Sequence, residues 1–286
     1  MKQQYGQILV PPKPFVKWAG GKRQLISTLN ENLPESFGTY FEPFLGGGAL
    51  LFNMLIENNR QKCSISDLNS DLVLAYTTIR DNLNDLISSL KQHEKYYQKD
   101  SKSYYYSVRE STPKKEIEKT SRLLFLNRTC FNGLYRVNSK GKFNVPLGKY
   151  TNPNIVNEEN LRSVSHILSS SKVKIQCRDF EAVLRDAKKG DLVYFDPPYQ
   201  PVTETANFTS YTNKNFTYDD LNRLFVLCTK LDEKGCNVLL SNSDSKEVAN
   251  MFSKKPWKIN KIKANRSINS NSTKRTGHFE LLIKNY

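Results

Sequence analysis

Several features that would place the chain in familiar classes are missing. It contains no long uncharged apolar run, so we expect no membrane span. Its N-terminus lacks an apolar stretch followed by a small-residue cleavage site, so we expect no secretory signal. Only three histidines occur, and none stands in a nucleophile–base arrangement, which argues against hydrolases of the catalytic-triad kind.

The cysteine and glycine patterns exclude further kinds of site. The five cysteines are scattered, form no CxxC pair and have no histidine at ligand spacing, so we expect reduced thiols in the cytoplasm and no metal site. The glycines at 46–48 do not form the GxGxxG motif of dinucleotide sites. Gly20-Gly21-Lys22 is followed by Arg23 and not by the Ser or Thr of a Walker motif.

The chain is strongly basic, with 43 Lys and Arg against 28 Asp and Glu and a net charge of +15. This balance favours a polyanionic partner, with DNA or RNA first and a membrane surface second. No basic amphipathic helix is visible, so a membrane-surface role ranks last. Hydrophobic residues make up 38% of the chain, which is enough for a packed core at this length.

Short apolar runs alternate with segments of helical periodicity. The runs predict strands at 39–43, 62–66, 192–195, 237–241 and 278–284, and the periodic segments predict helices at 49–58, 71–90 and 219–233. Strands that alternate with helices predict an α/β fold whose ligands bind at the carboxyl ends of the strands.

Residues 91–171 differ from the rest in being rich in Lys, Tyr, Asn and Ser. We predict helical structure around 116–126 and a β-hairpin whose tip is Ser139-Lys140-Gly141. The shift in composition predicts two domains. A core domain is formed by residues 1–90 and 172–286, and residues 91–171 are inserted between its halves.

Two segments point to a ligand at the strand ends. Phe41 to Gly48 predicts a strand, a turn of three glycines and then a helix, and glycines let the backbone approach a ligand closely. Asp67 follows the next strand, roughly 20 residues beyond the turn, where a carboxylate can accept hydrogen bonds from a ribose. A helix cap is the plainer interpretation of a lone aspartate at that place.

The segment Asp196-Pro197-Pro198-Tyr199 follows the apolar strand at 192–195. Proline cannot donate to a sheet ladder, so two prolines end the strand and stiffen the turn. The carboxylate and the Pro197 carbonyl offer two acceptors to a planar amino group with two N–H donors, and the tyrosine ring can stack on a flat base. Trp18, beside two glycines and three cations, indicates a docked functional segment, although core packing would explain it equally.

These segments, in this order, resemble the Dam-type adenine-N6 DNA methyltransferases, the D12 class in its alpha arrangement. The resemblance covers essentially the whole chain and rests on FVKWAGGKRQL, FEPFLGGGALLF, SDLN, NRTCFNGLYRVNSKGKFNVPLGKY and VYFDPPY. The central block and Phe208-Thr209-Ser210-Tyr211 are most similar to DpnM-like members, which modify GATC. The resemblance implies a Rossmann-like S-adenosylmethionine-dependent methyltransferase sheet with an inserted, mainly helical DNA-recognition domain that contains the hairpin.

The resemblance also implies an activity and roles for individual residues. The activity is site-specific methylation of the N6 amino group of a flipped-out adenine, with S-adenosylmethionine as cofactor. Asp196, Pro197 and Tyr199 are expected to be catalytic. The residues expected to bind the cofactor are Trp18, Lys22, Phe41, Glu42, Gly46, Gly47, Gly48, Asp67, Asp179, Phe180 and Asp196. The residues expected to read or hold DNA are Lys17, Arg128, Phe131, Asn132, Arg136, Pro146 and Tyr150. Cys177-Arg178 stands where relatives often have glycine, so the resemblance does not fix the backbone conformation of these two residues.

The expected partner is double-stranded DNA, in a restriction-modification or related DNA-marking role beside a cognate restriction endonuclease. We expect a cytoplasmic, nucleoid-associated monomer or weak dimer. Two alternatives stay open. One is methylation of another planar amino group, in RNA, at cytosine N4 or at protein glutamine, and the other is a basic nucleic-acid-binding module without catalysis. The stretch 265–275 is expected to be an exposed loop, with phosphate contact as the alternative.

Overall fold

The computed structural model describes residues 10–18, 20–138, 140–199, 216–264 and 278–286. Within these ranges the strands are β1 (Tyr40–Glu42), β2 (Cys63–Asp67), β3 (Val173–Cys177), β4 (Leu192–Phe195), β5 (Asn237–Ser243), β6 (Lys258–Ala264) and β7 (His278–Lys284). The α-helices are α1 (Ile26–Glu31), α2 (Ala49–Glu57), α3 (Ser70–Asp81), α4 (Leu83–Lys99), α5 (Ser101–Glu110), α6 (Glu116–Thr129), α7 (Glu158–Ser170), α8 (Val183–Asp186), α9 (Tyr218–Glu233) and α10 (Lys246–Met251). The segment 208–211 and the stretch 265–275 lie outside the described residues.

The strands form one sheet in the order β3-β2-β1-β4-β5-β7-β6. The first five pair in parallel, whereas β7 pairs antiparallel with both β5 and β6. The strand order reverses between β1 and β4, and the crevice at such a switch point is where open α/β sheets bind their ligands. The α/β fold predicted from the sequence is therefore confirmed.

The central strands are apolar on both faces because helices cover both sides of the sheet. Successive side chains of β4 alternate between the two cores: Leu192 and Tyr194 join the core that includes α1–α7, and Val193 and Phe195 join the core that includes α8–α10. All four side chains are buried. This double burial explains why β4 reads as a continuous apolar run in the sequence.

The single helix predicted at 71–90 is wrong, because the chain forms two helices there. They meet at Asn82, whose φ of −134° and ψ of 39° lie outside the helical region. The Asn82 N–H still donates to the Thr78 carbonyl at 2.8 Å, so α3 completes its last turn before helical dihedrals resume at Leu83. Among helices in the described ranges, none combines the length and the apolar character that crossing a bilayer requires.

The predicted hairpin is confirmed on both sides of its tip, of which Ser139 lies outside the described residues. Val137 and Phe143 form an antiparallel bridge, and the Asn138 N–H donates to the Lys142 carbonyl at 2.9 Å. The core that contains α1–α7 runs without interruption from the sheet into α4–α7. The boundary predicted between residues 90 and 91 falls inside α4, whereas a division at Asn82 would keep that helix whole. The division into two domains stays a prediction.

Candidate active site

The glycine turn after β1 is closely packed. Gly46 and Gly48 have φ values of 49° and 67°, the left-handed region that other residues rarely adopt. A Cβ at Gly48 would lie 2.6 Å from the Tyr76 hydroxyl oxygen, and a Cβ at Gly46 would lie 3.1 Å from Cδ1 of Trp18. The Tyr76 hydroxyl, on α3, donates to the Gly46 carbonyl at 3.2 Å, and this hydrogen bond holds the turn against the helix. Only glycine fits this arrangement at position 48.

Asp67 joins the turn after β1 to the turn after β2. Its Oδ2 accepts the Gly46 N–H at 3.0 Å, and its Oδ1 accepts the Asn69 N–H at 2.9 Å. Burial raises the pKa of Asp67, and these backbone donors oppose that rise. The cap of α3 is Asn69, whose side chain accepts the Leu72 N–H at 3.0 Å. The interpretation of Asp67 as a helix cap is therefore wrong.

Asp196 follows β4 and is paired with a buried lysine. Lys22 Nζ lies 2.7 Å from Asp196 Oδ1 and donates to the Gly20 carbonyl at 2.9 Å. Burial raises the pKa of Asp196 to about 6, and the Lys22 ammonium acts in the opposite direction. Lys22 was predicted to bind the cofactor, and the structure brings its ammonium directly to the predicted catalytic carboxylate.

Tyr199 is anchored by a residue that the sequence analysis missed. Its hydroxyl donates to Glu280 Oε2 on β7 at 2.8 Å, and Lys22 Nζ lies over its ring, 4.9 Å from the centroid. Glu280 is also 3.8 Å from Lys22 Nζ. The available signal was an acid at the head of the apolar run Leu281 to Ile283 in the closing strand.

Glu42 and Phe41 lie next to each other on β1 but point to opposite faces. Glu42 is buried and accepts the Tyr40 hydroxyl at 2.9 Å. Burial raises the pKa of Glu42 to about 8; the Tyr40 hydrogen bond opposes this, and the negative charges of Asp196 and Asp67 raise it further. We call Glu42, Asp67 and Asp196 the carboxylate cluster. Phe41 joins the core that includes α8–α10, so the structure does not bring it to this cluster.

An aromatic surface lies at the start of the short helical turn after β3. Phe180 stacks on Phe44 with ring centroids 5.1 Å apart, and the Arg223 guanidinium lies 4.8 Å from the Phe180 centroid. Arg223 also pairs with Asp179 at 2.9 Å. The sequence analysis named Asp179 and Phe180 but missed Phe44 and Arg223. Arg223 carried no local signal because it reaches this site from α9.

The segment around Trp18 contacts both the glycine turn and the region of the predicted insert. The half-buried Trp18 ring stacks on Tyr135 with centroids 5.2 Å apart, and the Tyr135 hydroxyl donates to Asp71 at 3.1 Å. Next to it, the buried Asn127 side chain accepts the Lys17 N–H at 2.8 Å and donates to the Lys17 and Gly133 carbonyls, both at 2.9 Å. Asn127 thus fastens residues 17 and 133 together.

Four of the residues predicted to contact DNA form two pairs. Lys17 Nζ donates to the Tyr150 hydroxyl at 3.3 Å and lies 4.8 Å from that ring's centroid. The Phe131 N–H donates to the Pro146 carbonyl at 2.9 Å, and the Phe131 side chain is 43% exposed. The large exposed ring is available to a partner, since it covers no core.

The other three predicted DNA contacts differ in their surroundings. Asn132 is exposed and has a φ of 56°. Arg136 Nε donates to Asn144 Oδ1 at 2.8 Å across the hairpin. Arg128 donates to the Phe15 carbonyl at 2.8 Å, and burial lowers its pKa. Arg128 therefore holds the segment before Trp18, whereas Asn132 and Arg136 lie on the turn and hairpin.

The sheet order and the acidic residues at the ends of β1, β2 and β4 define a Rossmann-like methyltransferase fold. Comparison with known proteins gives the class more narrowly. The profile of the family described as D12 class N6 adenine-specific DNA methyltransferase matches residues 18–268. The chain belongs to this family, as its sequence motifs predicted.

Individual relatives match over nearly their full lengths. The chain is 42% identical to the type II methyltransferase M1.LlaDCHI of Lactococcus lactis subsp. cremoris, over 96% of this chain and 95% of the relative. It is 44% identical to the type II methyltransferase M.MjaIII of Methanocaldococcus jannaschii, over 96% and 99%. The DNA adenine methylase of Haemophilus influenzae is 33% identical over 94% and 92%.

Proposed function

We propose that this protein transfers a methyl group from S-adenosylmethionine to N6 of an adenine flipped out of a GATC site in double-stranded DNA. The observation that carries the proposal is the Asp196 carboxylate, held 2.7 Å from the buried Lys22 ammonium at the switch point of the sheet. The glycine turn and Asp67 lie at the adjoining strand ends. A methyl donor and an amino acceptor would meet there.

The residues present fit the proposed cofactor. S-adenosylmethionine carries a cationic sulfonium and an ammonium group, and the site offers it the acids Glu42, Asp67 and Asp196. Their mutual repulsion contributes to the raised pKa of Glu42, and a bound cation would relieve it. The glycine turn, held by Trp18 and Tyr76, would present its backbone to the ligand, and the stacked Phe44 and Phe180 rings would form an apolar wall beside its adenine. The cofactor, when bound, supplies the electrophilic methyl group.

The chain's own groups would position the amino group of the base. The Asp196 carboxylate is half-buried at the strand end, and N6 of a paired adenine lies inside the stacked duplex, so the base must first leave the duplex. Burial raises the pKa of Asp196, and the Lys22 ammonium opposes that rise and so favours the ionised, accepting form of the carboxylate. Asp196 and the Pro197 carbonyl would each accept one N6 hydrogen, while the Tyr199 ring stacks on the base. Catalysis is then mainly orientation and electrostatics.

The test is transfer of labelled methyl groups from S-adenosylmethionine to duplexes that differ only in carrying GATC or GTAC. We expect incorporation into GATC duplexes at adenine N6 and its loss in Asp196→Ala. Calorimetry should show that this variant still folds and that the wild-type protein binds the cofactor. Substantial turnover by Asp196→Ala, or preference for RNA, cytosine or glutamine peptides, would refute the assignment.

Site choice is proposed to reside in the hairpin and in the turn beside it. Arg136 has the fork of donors that recognises guanine, and Phe131 offers a planar ring to the gap left by a flipped base. We expect Arg136→Ala to relax or abolish discrimination while cofactor affinity stays within about 2-fold, because Arg136 pairs with Asn144 and not with the carboxylate cluster. An equal loss of cofactor affinity would instead indicate misfolding.

The two type II relatives share more identity with this chain than the Haemophilus methylase does. On that basis we propose a restriction-modification role, with a cognate endonuclease that cuts the unmethylated site. Long-read sequencing of plasmid DNA from cells expressing the protein would identify the modified base and its context. Modification confined to a sequence other than GATC would reject the site but retain the activity.

A further inference from the structure

Glu280 lies where the antiparallel edge of the sheet meets the active site. It is near the start of β7, opposite Ser243 near the end of β5, so it shares the edge at which β4 and β5 end. Its side chain is buried, whereas the side chain of its neighbour Phe279 is 43% exposed. The strand thus turns one acid inward at the edge that carries the proposed chemistry.

Within the part of the chain that the structure describes, the polar side-chain contacts of Glu280 are with groups of the proposed site. Its Oε2 accepts the Tyr199 hydroxyl at 2.8 Å and lies 3.8 Å from Lys22 Nζ. The same ammonium lies 2.7 Å from Asp196 Oδ1 and 4.9 Å from the Tyr199 centroid. Glu280 is therefore connected to the carboxylate through the lysine and to the aromatic ring directly.

We propose that Glu280 is a positioning residue for methyl transfer: it holds the Tyr199 ring by its hydroxyl and shares Lys22 with Asp196, so that ring and carboxylate keep a fixed relative orientation. This inference rests on the proposed function of the Asp196 site. Glu280 touches neither the reacting atoms nor the base, and acts only through Tyr199 and Lys22.

A buried carboxylate at this position carries a desolvation cost that its contacts must offset. The next three residues, Leu281 to Ile283, are apolar and buried, so the polar groups that compensate the carboxylate are the Tyr199 hydroxyl and the Lys22 ammonium. Two carboxylates, Asp196 and Glu280, share the Lys22 ammonium, at 2.7 and 3.8 Å. Two carboxylates around one ammonium favour the binding of a cationic methyl donor.

The test compares Glu280→Gln, Glu280→Ala, Tyr199→Phe and the double variant Tyr199→Phe/Glu280→Ala, with Glu233→Ala on the exposed end of α9 as control. Glutamine keeps an oxygen that can accept the Tyr199 hydroxyl, but it removes the carboxylate charge that lies near the Lys22 ammonium. We expect kcat to fall about 100-fold in Glu280→Ala, since misplacing a reacting group by about an ångström has an effect of that order. Glu280→Gln should lose less, and the control nothing.

Two readouts separate positioning from folding, and a third tests the proposed function. The Kd for S-adenosylmethionine should change less than about 3-fold, so that the loss appears in kcat. In the Tyr199→Phe background, Glu280→Ala should cost markedly less than in the wild type, because the shared hydrogen bond is already gone. Wild-type turnover and its loss in Asp196→Ala test the proposed function independently.

Wild-type kcat in Glu280→Ala would overturn the inference, as would losses for Tyr199→Phe and Glu280→Ala that multiply without coupling. If Glu280→Ala fails to fold, Glu280→Gln decides: a kcat equal to the wild type in both Glu280→Gln and Tyr199→Phe overturns the proposal. Failure of wild-type protein to methylate adenine would instead reject the proposed function of the site.

Discussion

Replacing Gly48 by alanine tests how tightly the glycine turn after β1 is packed. The residue has a φ of 67°, and an added Cβ would lie 2.6 Å from the Tyr76 hydroxyl oxygen and 3.5 Å from both Leu45 and Phe52. The substitution therefore introduces two separate penalties. One is backbone strain in the left-handed region, and the other is a collision with a buried side chain.

The two penalties can be given magnitudes. Placing a residue with a Cβ in the left-handed region costs about 1 kcal/mol. The collision costs about 2 kcal/mol, in the range of overpacked cores, because Tyr76 has no space to withdraw. Its ring is fully buried, packs edge-on against Phe15 at 4.6 Å and lies 6.2 Å from Phe52. We therefore expect Gly48→Ala to lower the free energy of unfolding by about 3 kcal/mol.

Gly190→Ala is the matched control, because Gly190 has a φ of 83° and no atom lies within 4 Å of an added Cβ. It should lose only the strain, about 1 kcal/mol. Urea unfolding of both variants, followed by tryptophan fluorescence, measures the difference. Calorimetry should show weaker S-adenosylmethionine binding for Gly48→Ala alone. Adding Tyr76→Phe to Gly48→Ala removes the colliding oxygen and should recover part of the lost stability.

Equal destabilisation of the two glycine variants would refute this reasoning. So would a double variant, Gly48→Ala/Tyr76→Phe, whose loss is the sum of the two single losses. Either result would mean that the turn yields to the added methyl group, and that Tyr76 does not fix the position of the Gly46 carbonyl.

Two further predictions concern buried polar groups. Asn127→Ala should lower the free energy of unfolding by about 3 kcal/mol, because it removes the side-chain partner of three backbone groups at Lys17 and Gly133. Urea unfolding measures this change, and a loss below about 0.5 kcal/mol would contradict the prediction. The pKa of Glu42, raised to about 8, means that the folded state keeps a proton that the unfolded state releases at lower pH, so stability falls as pH rises from about 4.5 to 8. Glu42→Gln should flatten that fall in unfolding measured between pH 5 and 8.5, whereas Glu35→Gln on the surface should not; a parallel decline in both variants would refute the argument.

The sequence predicted the strands well where burial is complete on both faces. The run at 192–195 matches β4 because four apolar residues followed by an acid and two prolines leave no other arrangement. The break at Asn82 was invisible for the opposite reason. Leu72, Ala75, Tyr76 and Ile79 continue in helical phase through Leu83, Leu86, Ile87 and Leu90. Periodicity records which side is buried and not whether the axis is continuous.

The candidate site was predictable where its parts are local motifs. Asp196 and the glycine turn are marked by their neighbours in the chain. Glu280, Asn127 and Arg223 have no such mark, because their partners Tyr199, Lys17 and Asp179 stand 81, 110 and 44 positions away. Side-chain contacts over such separations depend on how the elements pack, which a single sequence does not record.

The net charge of the chain reflects its surface and not the site that would bind the cofactor. The value of +15 favours a polyanion, and exposed cations such as Lys17 agree with that inference. The proposed site has the opposite balance, since Asp196 and Glu280 share the buried ammonium of Lys22, at 2.7 and 3.8 Å. A basic exterior attracts DNA through its field, whereas a buried acidic site attracts a small cation at short range. A basic surface and an acidic site can coexist because solvent and salt screen the surface charges. The composition of the whole chain therefore predicts the attraction of DNA but not the acidic site.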